Sequence, residues 1–328
     1  MWFFFGLFFG FSFIETEVGG EMNMHELIFR CGAFRVLETP VMVTSGEFFT
    51  PFFCNTENFC GDGEIDAFLQ NYGSDPAAIT ERADRLLQTQ PSYKQVVYRL
   101  TERAETIIGG WTDGRRPAIS GGQRRDWLFS GPVAGELGLP HISIFKPNTA
   151  DGSQKILYHS TRSPGPAEEI RDLSGCRVLH IADLITRGSS IFDVDASGLE
   201  SGWVPALRNR GAVVEDLLAV ISRNQGGEQM LAERGVAADS LLTVDASFIA
   251  EHVPDPRPLL RFLEDPRAWT EAFLNSHGPE PLFAYCRADD KKLPRLMKFI
   301  RKYRRFLEQN GWLESLEEKL EGGGHEAA

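Results

Sequence analysis

Short apolar runs alternate with amphipathic stretches along the middle of the chain, and this alternation predicts a mixed α/β fold. The runs that are typical of buried strands lie at 140–145, 177–182, 216–222 and 240–244. Segments with helical character lie between or before them, at 129–137, 191–210 and 230–234. Strands that alternate with helices in this way are typical of βαβ units. We therefore predict a parallel sheet flanked by helices, interrupted by a long loop at 147–166.

Helical periodicity also precedes and follows this central region. Asp75 and Pro76 form a helix start, and the apolar spacing behind them continues to residue 116. Two strand-like runs, 40–44 and 50–55, are separated by a turn. After Pro254 the chain becomes helical again, with one apolar stripe formed by Leu293, Leu296, Phe299, Ile300, Tyr303, Phe306 and Leu307.

The first residues of the chain form an unusual apolar segment. Residues 1–14 are rich in Phe, yet they are too few to span a bilayer as a helix. They lack the basic residues and the small-residue cleavage site of a signal peptide. We interpret 1–21 as a leader produced by a start codon assigned too early, with Met22 or Met24 as the natural start. The alternative is an anchor to a membrane or a partner.

Charge and cysteine content narrow the functional classes. The 328 residues carry a net charge of −12, which argues against a general nucleic-acid binder. Five cysteines without a C-x-x-C pair suggest neither a disulfide framework nor a zinc site. Reduced thiols are typical of a cytoplasmic protein, and we predict that location. The basic stretch at 291–305 is interpreted as a solvated helix face, with a second subunit or nucleic acid as alternative contacts.

The segment with the strongest chemical signal runs from residue 178 to residue 190. An apolar strand ends at Asp183, and a turn containing Thr186, Gly188, Ser189 and Ser190 follows it. A carboxylate at a strand end can accept hydrogen bonds from ribose hydroxyls. The turn offers backbone N–H groups and hydroxyls to a phosphate, and we expect a helix N-terminus behind it to add its positive end. This pattern predicts a site for a sugar phosphate.

This segment resembles the phosphoribosyl-pyrophosphate signature of type I phosphoribosyltransferases. The signature has an apolar strand, two acids, an aliphatic pair and a phosphate turn. Asp183 matches the second acid, whereas Ala182 stands at the first, and Arg187 fills a position that is usually small. By resemblance Asp183 would orient the ribose hydroxyls, directly or through metal, and residues 186–190 would hold the 5-phosphate.

Further motifs resemble the orotate branch of that family. Residues 30–63 are similar to its N-terminal hood, in which Gly32, Phe34, Ser45, Gly46, Pro51 and Phe52 fall in register. Residues 211–227 and 231–242 resemble the segments that follow the phosphate turn. The resemblance implies that Arg223, Thr44 and Phe52 contact the base. It covers residues 26–245.

The pyrophosphate side of the resemblance is less regular. Residues 129–134 fit the family's turn on that side, which implies a phosphate role for Ser130 and Gly131. Before them, Ser120-Gly121-Gly122 and the pair Arg124 and Arg125 form a candidate anion cradle, since arginine forks suit phosphate oxygens. A surface loop with solvated arginines is the alternative. Lys146 is the one cation retained at the start of the family's mobile basic loop.

The resemblance implies a phosphoribosyltransferase that uses phosphoribosyl pyrophosphate, Mg²⁺ and a nucleobase acceptor, with orotate the first candidate. It also implies a homodimer, and we expect neither nucleic-acid nor membrane binding. The alternative is a non-catalytic binder of phosphoribosyl pyrophosphate or nucleotides, because Ala182 and the cation-poor loop weaken the site. The predicted organisation is a hood and helical segment at 22–116, a phosphoribosyltransferase core at 117–253, a helical extension at 254–321 and a disordered tail at 322–328.

Overall fold

The structure is a computed structural model that describes residues 23–43, 46–61, 63–148, 152–160, 167–194, 197–286 and 292–322. The predicted leader at 1–21 lies outside these residues, as does the predicted tail beyond residue 322.

The N-terminal part combines a two-stranded hood with helices. Its elements are α1 (Met24–Arg30), β1 (Phe34–Met42), β2 (Phe49–Cys54), a 3₁₀ turn (Thr56–Cys60), α2 (Ile65–Tyr72), α3 (Pro76–Thr89) and α4 (Pro91–Gly109). Strands β1 and β2 pair antiparallel and form the hood. Asp75 caps α3 by accepting hydrogen bonds from the N–H groups of Ala77 and Ala78, as the sequence predicted. The predicted helix is divided at Pro91, which begins α4.

The central part is a seven-stranded sheet with helices on both faces. Its elements are β3 (Arg116–Gly122), α5 (Trp127–Glu136), β4 (His141–Ile144), β5 (Ile156–His159), β6 (Glu168–Glu169), β7 (Cys176–Ile185), β8 (Asp193–Val194), β9 (Glu200–Ser201), α6 (Trp203–Arg208), β10 (Val213–Ser222), α7 (Gly227–Glu233) and β11 (Ala237–Thr243). The strand order is β11-β10-β7-β3-β4-β5-β6. The first five strands are parallel, and β5 and β6 run antiparallel. The predicted parallel sheet is confirmed.

Both faces of the sheet are buried, which explains why its strands read as continuous apolar runs. Along β10, Leu218 and Val220 pack in a core with the hood and helices α3 to α5. Leu217 and Ala219 point to the opposite face and pack with Trp203 of α6. The sheet is therefore held between two apolar layers.

Two sequence expectations in this region were wrong. The predicted loop at 147–166 contains strand β5, which pairs with β4. The predicted helix at 191–210 is reduced to α6, which begins only at Trp203 behind the β8–β9 hairpin. Gly198 and Gly202 adopt positive φ angles of 85° and 110°, a conformation that a right-handed helix does not allow.

The C-terminal extension is helical, as predicted, and it packs on the hood. Helix α8 (Ala246–His252) precedes it, and its own helices are α9 (Arg257–Glu264), α10 (Pro266–His277), α11 (Glu280–Cys286), α12 (Leu293–Gln309) and α13 (Leu313–Gly322). The predicted apolar stripe of α12 is buried except for Leu293. The N–H of Phe49 in β2 donates to Thr270 Oγ1 at 3.2 Å, and the N–H of Met42 in β1 donates to the hydroxyl of Tyr285 at 2.8 Å. Among the described residues no helix is long and apolar enough to cross a membrane.

A buried histidine in the sheet links two elements of the core. His141 Nε2 and Ser130 Oγ are 2.8 Å apart, which joins β4 to α5. Burial lowers the pKa of His141 from 6.5 to about 3, so the folded protein keeps this ring neutral. In the unfolded chain the ring takes up a proton below its usual pKa. The unfolded state then binds more protons, and the folded state loses stability as the pH falls.

We expect this histidine to dominate the difference in acid sensitivity between the wild type and His141→Gln. Between pH 7 and pH 5 the free energy of unfolding of the wild type should fall by about 2 kcal/mol relative to that of the variant. Urea unfolding of both proteins at several pH values measures this difference. A difference that does not change with pH would contradict a neutral, buried His141.

Candidate active site

The carboxyl ends of the parallel strands meet under the hood, where ligands bind in open α/β sheets. Asp183 lies near the end of β7, and its Oδ2 accepts a hydrogen bond of 3.1 Å from the hydroxyl of Thr56, in the 3₁₀ turn that follows the hood. Burial raises the pKa of Asp183, while the nearby Arg125 guanidinium opposes that shift. The acid predicted to bind ribose thus lies between the sheet and the 3₁₀ turn.

A second acid, Asp126, lies beside Asp183. Its Oδ1 accepts from the N–H of Asp183 and its Oδ2 from the N–H of Gly122, both at 2.9 Å. The residue is buried, and burial together with the charge of Asp183 raises its pKa well above the usual range. Sequence reasoning assigned it no role. The available signal was its position just after the Gly121-Gly122 end of β3.

The residues predicted to bind a phosphate form a turn that begins at Thr186, directly after β7. Gly188 has a φ of 73°, and its carbonyl accepts from the N–H groups of Ile191 and Phe192. Within the described part of the chain, the N–H groups of Gly188, Ser189 and Ser190 donate to no acceptor. Consecutive unpaired N–H groups form a concavity that suits an anion.

The helix contribution to this turn was predicted wrongly. Helix α6 begins at Trp203, and its first N–H donates to the carbonyl of Ser190 at 3.1 Å. The next N–H, that of Val204, donates to the carbonyl of Ile191. These donors therefore hold the turn and do not face a ligand. The turn also rests on the next loop, because the N–H of Gly227 donates to the carbonyl of Thr186 at 3.1 Å.

Three arginines that the sequence proposed for anion binding contact protein groups in this structure. Arg125 forms an ion pair with the buried Glu57 of the 3₁₀ turn. Arg187 Nη1 lies 2.6 Å from Glu47 Oε1, beside the hood. Arg124 Nη1 donates to the carbonyl of Leu69 at 2.8 Å. Glu47 and Glu57 were not identified from the sequence, since nothing in the local pattern links them to arginines that lie far along the chain.

The structure does not bring Ser130 and Gly131 to the site. Both lie inside α5, and the Ser130 side chain is fully buried against His141. Residues 123–126, which connect β3 to α5, lie at the carboxyl end of β3 in their place. Lys146 is exposed at the end of β4, and its N–H donates to Gln123 Oε1 at 2.9 Å, so it adjoins that connection.

The predicted base-binding residues meet beneath the hood, except Thr44, which lies outside the described residues. The guanidinium carbon of Arg223 stands 4.7 Å from the Phe52 ring centroid, and Nη2 lies 3.4 Å from Thr50 Oγ1. Arg223 is buried, and burial lowers its pKa. Its Nε has no hydrogen-bond partner, and no carboxylate of the described residues forms an ion pair with it. A buried cation of this kind is costly unless a ligand completes its surroundings.

Comparison with known proteins identifies the family. No family model matches the sequence. Over 137 residues the chain is 32% identical to the adenine phosphoribosyltransferase of Erythrobacter litoralis, a match that covers 39% of this chain and 69% of that enzyme. The chain belongs to the type I phosphoribosyltransferase family.

Other members of this phosphoribosyltransferase family are also similar. The orotate phosphoribosyltransferase of Methanopyrus kandleri is 29% identical over 119 residues, which are 36% of this chain. The chain spans 58% of the length of that relative, less than two thirds. The orotate phosphoribosyltransferase structure from Aeropyrum pernix superposes with a TM-score of 0.44 at 18% identity, over 69% of this chain and 96% of that one. The fold is defined by the sheet order β11-β10-β7-β3-β4-β5-β6.

We expect the Glu57–Arg125 ion pair to compete with a bound anion. In Glu57→Gln the arginine keeps its charge but loses its carboxylate partner. Inorganic pyrophosphate should then bind about tenfold more tightly, which corresponds to about 1.4 kcal/mol. Calorimetric titration measures this affinity.

The matched control for this experiment is Glu81→Gln, which breaks an exposed pair with Arg85 on α3. We expect that variant to bind pyrophosphate as the wild type does. Unchanged or weaker binding to Glu57→Gln would show that Arg125 does not receive the anion.

Proposed function

We propose that the protein transfers the phosphoribosyl group of phosphoribosyl pyrophosphate to a nucleobase. The observation that carries this proposal is the adjacency of Asp183 to a turn whose N–H groups are unpaired within the described residues. Such a pair of features fits a ribose bearing a 5-phosphate. Membership of a family of phosphoribosyltransferases supports the same reaction.

In the proposed reaction the bond between the ribose C1 and a pyrophosphate oxygen breaks, a bond from C1 to a base nitrogen forms, and that nitrogen releases its proton. Thr186, Gly188, Ser189 and Ser190 would hold the 5-phosphate, with Arg187 at their edge. Asp183 would orient the ribose hydroxyls. Arg125 and Lys146, with Arg124 beside them, would balance the departing pyrophosphate, whose charge grows as the bond breaks. The hood would exclude water from the reacting carbon.

Mg²⁺ fits this donor set as a companion of the substrate. The described residues contain no group of three or more His, Cys, Asp or Glu side chains that could hold a metal ion by themselves. Mg²⁺ commonly binds through one or two carboxylates and substrate phosphates. Asp183 would be its protein contact, directly or through water, and the ion would neutralise pyrophosphate charge. A homodimer and a cytoplasmic location remain predictions from the sequence.

The acceptor is the finer part of the proposal, and orotate is our first candidate. Arg223 supports an acceptor with anionic or carbonyl oxygens, because its buried guanidinium has an unpaired Nε within the described residues. Adenine is the second candidate, since relatives that act on either base resemble this chain.

A second candidate function is binding of phosphoribosyl pyrophosphate or a nucleotide without turnover. The engagement of Arg124, Arg125 and Arg187 by protein groups favours it, because a pyrophosphate must compete with each of them. A binder of this kind would take up the ligand but release no pyrophosphate.

Asp183→Asn tests the reaction itself. The asparagine amide has one acceptor oxygen where the carboxylate has two, so it cannot receive both ribose hydroxyls. Pyrophosphate release that depends on the base should therefore fall about 100-fold or more. The measurement is pyrophosphate release from phosphoribosyl pyrophosphate and Mg²⁺, first with orotate and then with other bases. If the wild type binds phosphoribosyl pyrophosphate but releases no pyrophosphate with any base, the transferase proposal is contradicted. That result would support binding without turnover.

Arg223→Gln tests the acceptor. If orotate contacts Arg223, the KM for orotate should rise about 10- to 100-fold while the KM for phosphoribosyl pyrophosphate changes little. The control is Arg234→Gln, which removes another guanidinium placed over a phenylalanine ring, that of Phe192. Equal effects of the two substitutions would remove Arg223 from the acceptor site.

A further inference from the structure

The strands β3 and β7 part at the site, and one side chain bridges the gap between them. Their parallel pairing ends at Ser120 and His180. Beyond it, Gly121 and Gly122 pair only with β4, while Leu184 and Ile185 pair only with β10. Asp126 accepts one N–H from each side of this gap, from Gly122 and from Asp183.

Capping of helix α5 does not explain Asp126. The residue occupies the N-cap position, yet its side chain makes no capping hydrogen bond. An N-cap carboxylate ordinarily accepts from the second or third N–H of its own helix. Here both oxygens turn away from the helix, to backbone groups at the strand ends.

The same carboxyl group also determines the surroundings of Asp183. It accepts the N–H of Asp183 at 2.9 Å, and the Asp183 carboxyl group in turn accepts from the Thr56 hydroxyl at 3.1 Å. Ala182, the neighbouring residue on β7, is buried in the apolar layer on the opposite face and supplies no carboxylate. Asp126 therefore holds the backbone of Asp183 in place, and Thr56 holds its carboxyl group.

We propose that Asp126 is a positioning residue, which holds the Asp183 carboxylate in the orientation that receives the ribose of the phosphoribosyl donor. This inference rests on the proposed function and adds to it a residue that does not touch the substrate. Its effect should appear in the donor parameters, because Asp183 faces the ribose and Arg223 faces the acceptor.

Asp126→Asn is the direct test. The amide keeps the shape and one acceptor, but its NH₂ group must face a backbone N–H, donor against donor. We expect kcat/KM for phosphoribosyl pyrophosphate to fall about 30-fold while the KM for the acceptor stays within about twofold. The dissociation constant for phosphoribosyl pyrophosphate, measured by calorimetry, should rise in parallel.

Asp75→Asn is the matched control, because Asp75 also accepts hydrogen bonds from two backbone N–H groups but lies at the start of α3. This substitution should leave kcat/KM and the dissociation constant for phosphoribosyl pyrophosphate unchanged. Thr56→Val, which removes the other hydrogen bond to Asp183, should reproduce the donor defect even if Asp126→Asn folds poorly. Equal donor and acceptor losses in Asp126→Asn, or a normal donor constant in Thr56→Val, would overturn the positioning role.

The double variant Asp126→Asn with Asp183→Asn separates positioning from a general structural effect. If Asp126 acts through Asp183, the double variant should be no worse than Asp183→Asn alone. Losses that multiply would show an independent role and contradict the inference. If the wild type binds phosphoribosyl pyrophosphate but catalyses no transfer, the proposed transferase activity is wrong. The role of Asp126 is then tested by the calorimetric dissociation constants alone. If the wild type neither binds phosphoribosyl pyrophosphate nor catalyses transfer, both the proposed function and the positioning role of Asp126 are wrong.

Discussion

The site depends on the buried Asp126 carboxyl group, which accepts one hydrogen bond from the end of β3 and one from the end of β7. Parallel strands that diverge leave backbone N–H groups without partners, and a buried carboxyl group can satisfy two of them at once. Because Asp183 is one of the two donors, the same connection places the acid that would face the ribose. The phosphate turn starts three residues later, so its position follows from that of β7.

The C-terminal helices stabilise the other wall of the site. Hydrogen bonds from β1 and β2 to Tyr285 and Thr270 attach the hood to α11 and α10. Glu47 lies 2.6 Å from Arg187 of the phosphate turn and 3.7 Å from Lys302 of α12. Polar contacts therefore link the extension, the hood and the phosphate turn. An anion that paired with Arg187 would compete with Glu47 and so change a contact of the hood.

The sequence predicted the elements whose signal is local. The strands of the parallel sheet, the capped start of α3 and the stripe of α12 follow from periodicity and end residues. The expected helix after the phosphate turn was wrong because left-handed glycines interrupt it, and β5 was missed inside a loop rich in Gly, Pro and Ser. The roles of Asp126 and Glu57 could not be predicted, because their partners Asp183 and Arg125 lie 57 and 68 residues away along the chain. A single sequence carries no pairing signal over that separation.

The central claim, that this site joins a phosphoribosyl group to a base, is tested most directly by identifying the product. The wild type would be incubated with phosphoribosyl pyrophosphate, Mg²⁺ and a mixture of orotate, adenine and other nucleobases, and the nucleotides analysed by mass spectrometry. The account predicts a nucleoside 5-monophosphate of one base, formed in equal amount to the pyrophosphate released. Absence of any nucleotide, with pyrophosphate no higher than in a blank without protein, would contradict it.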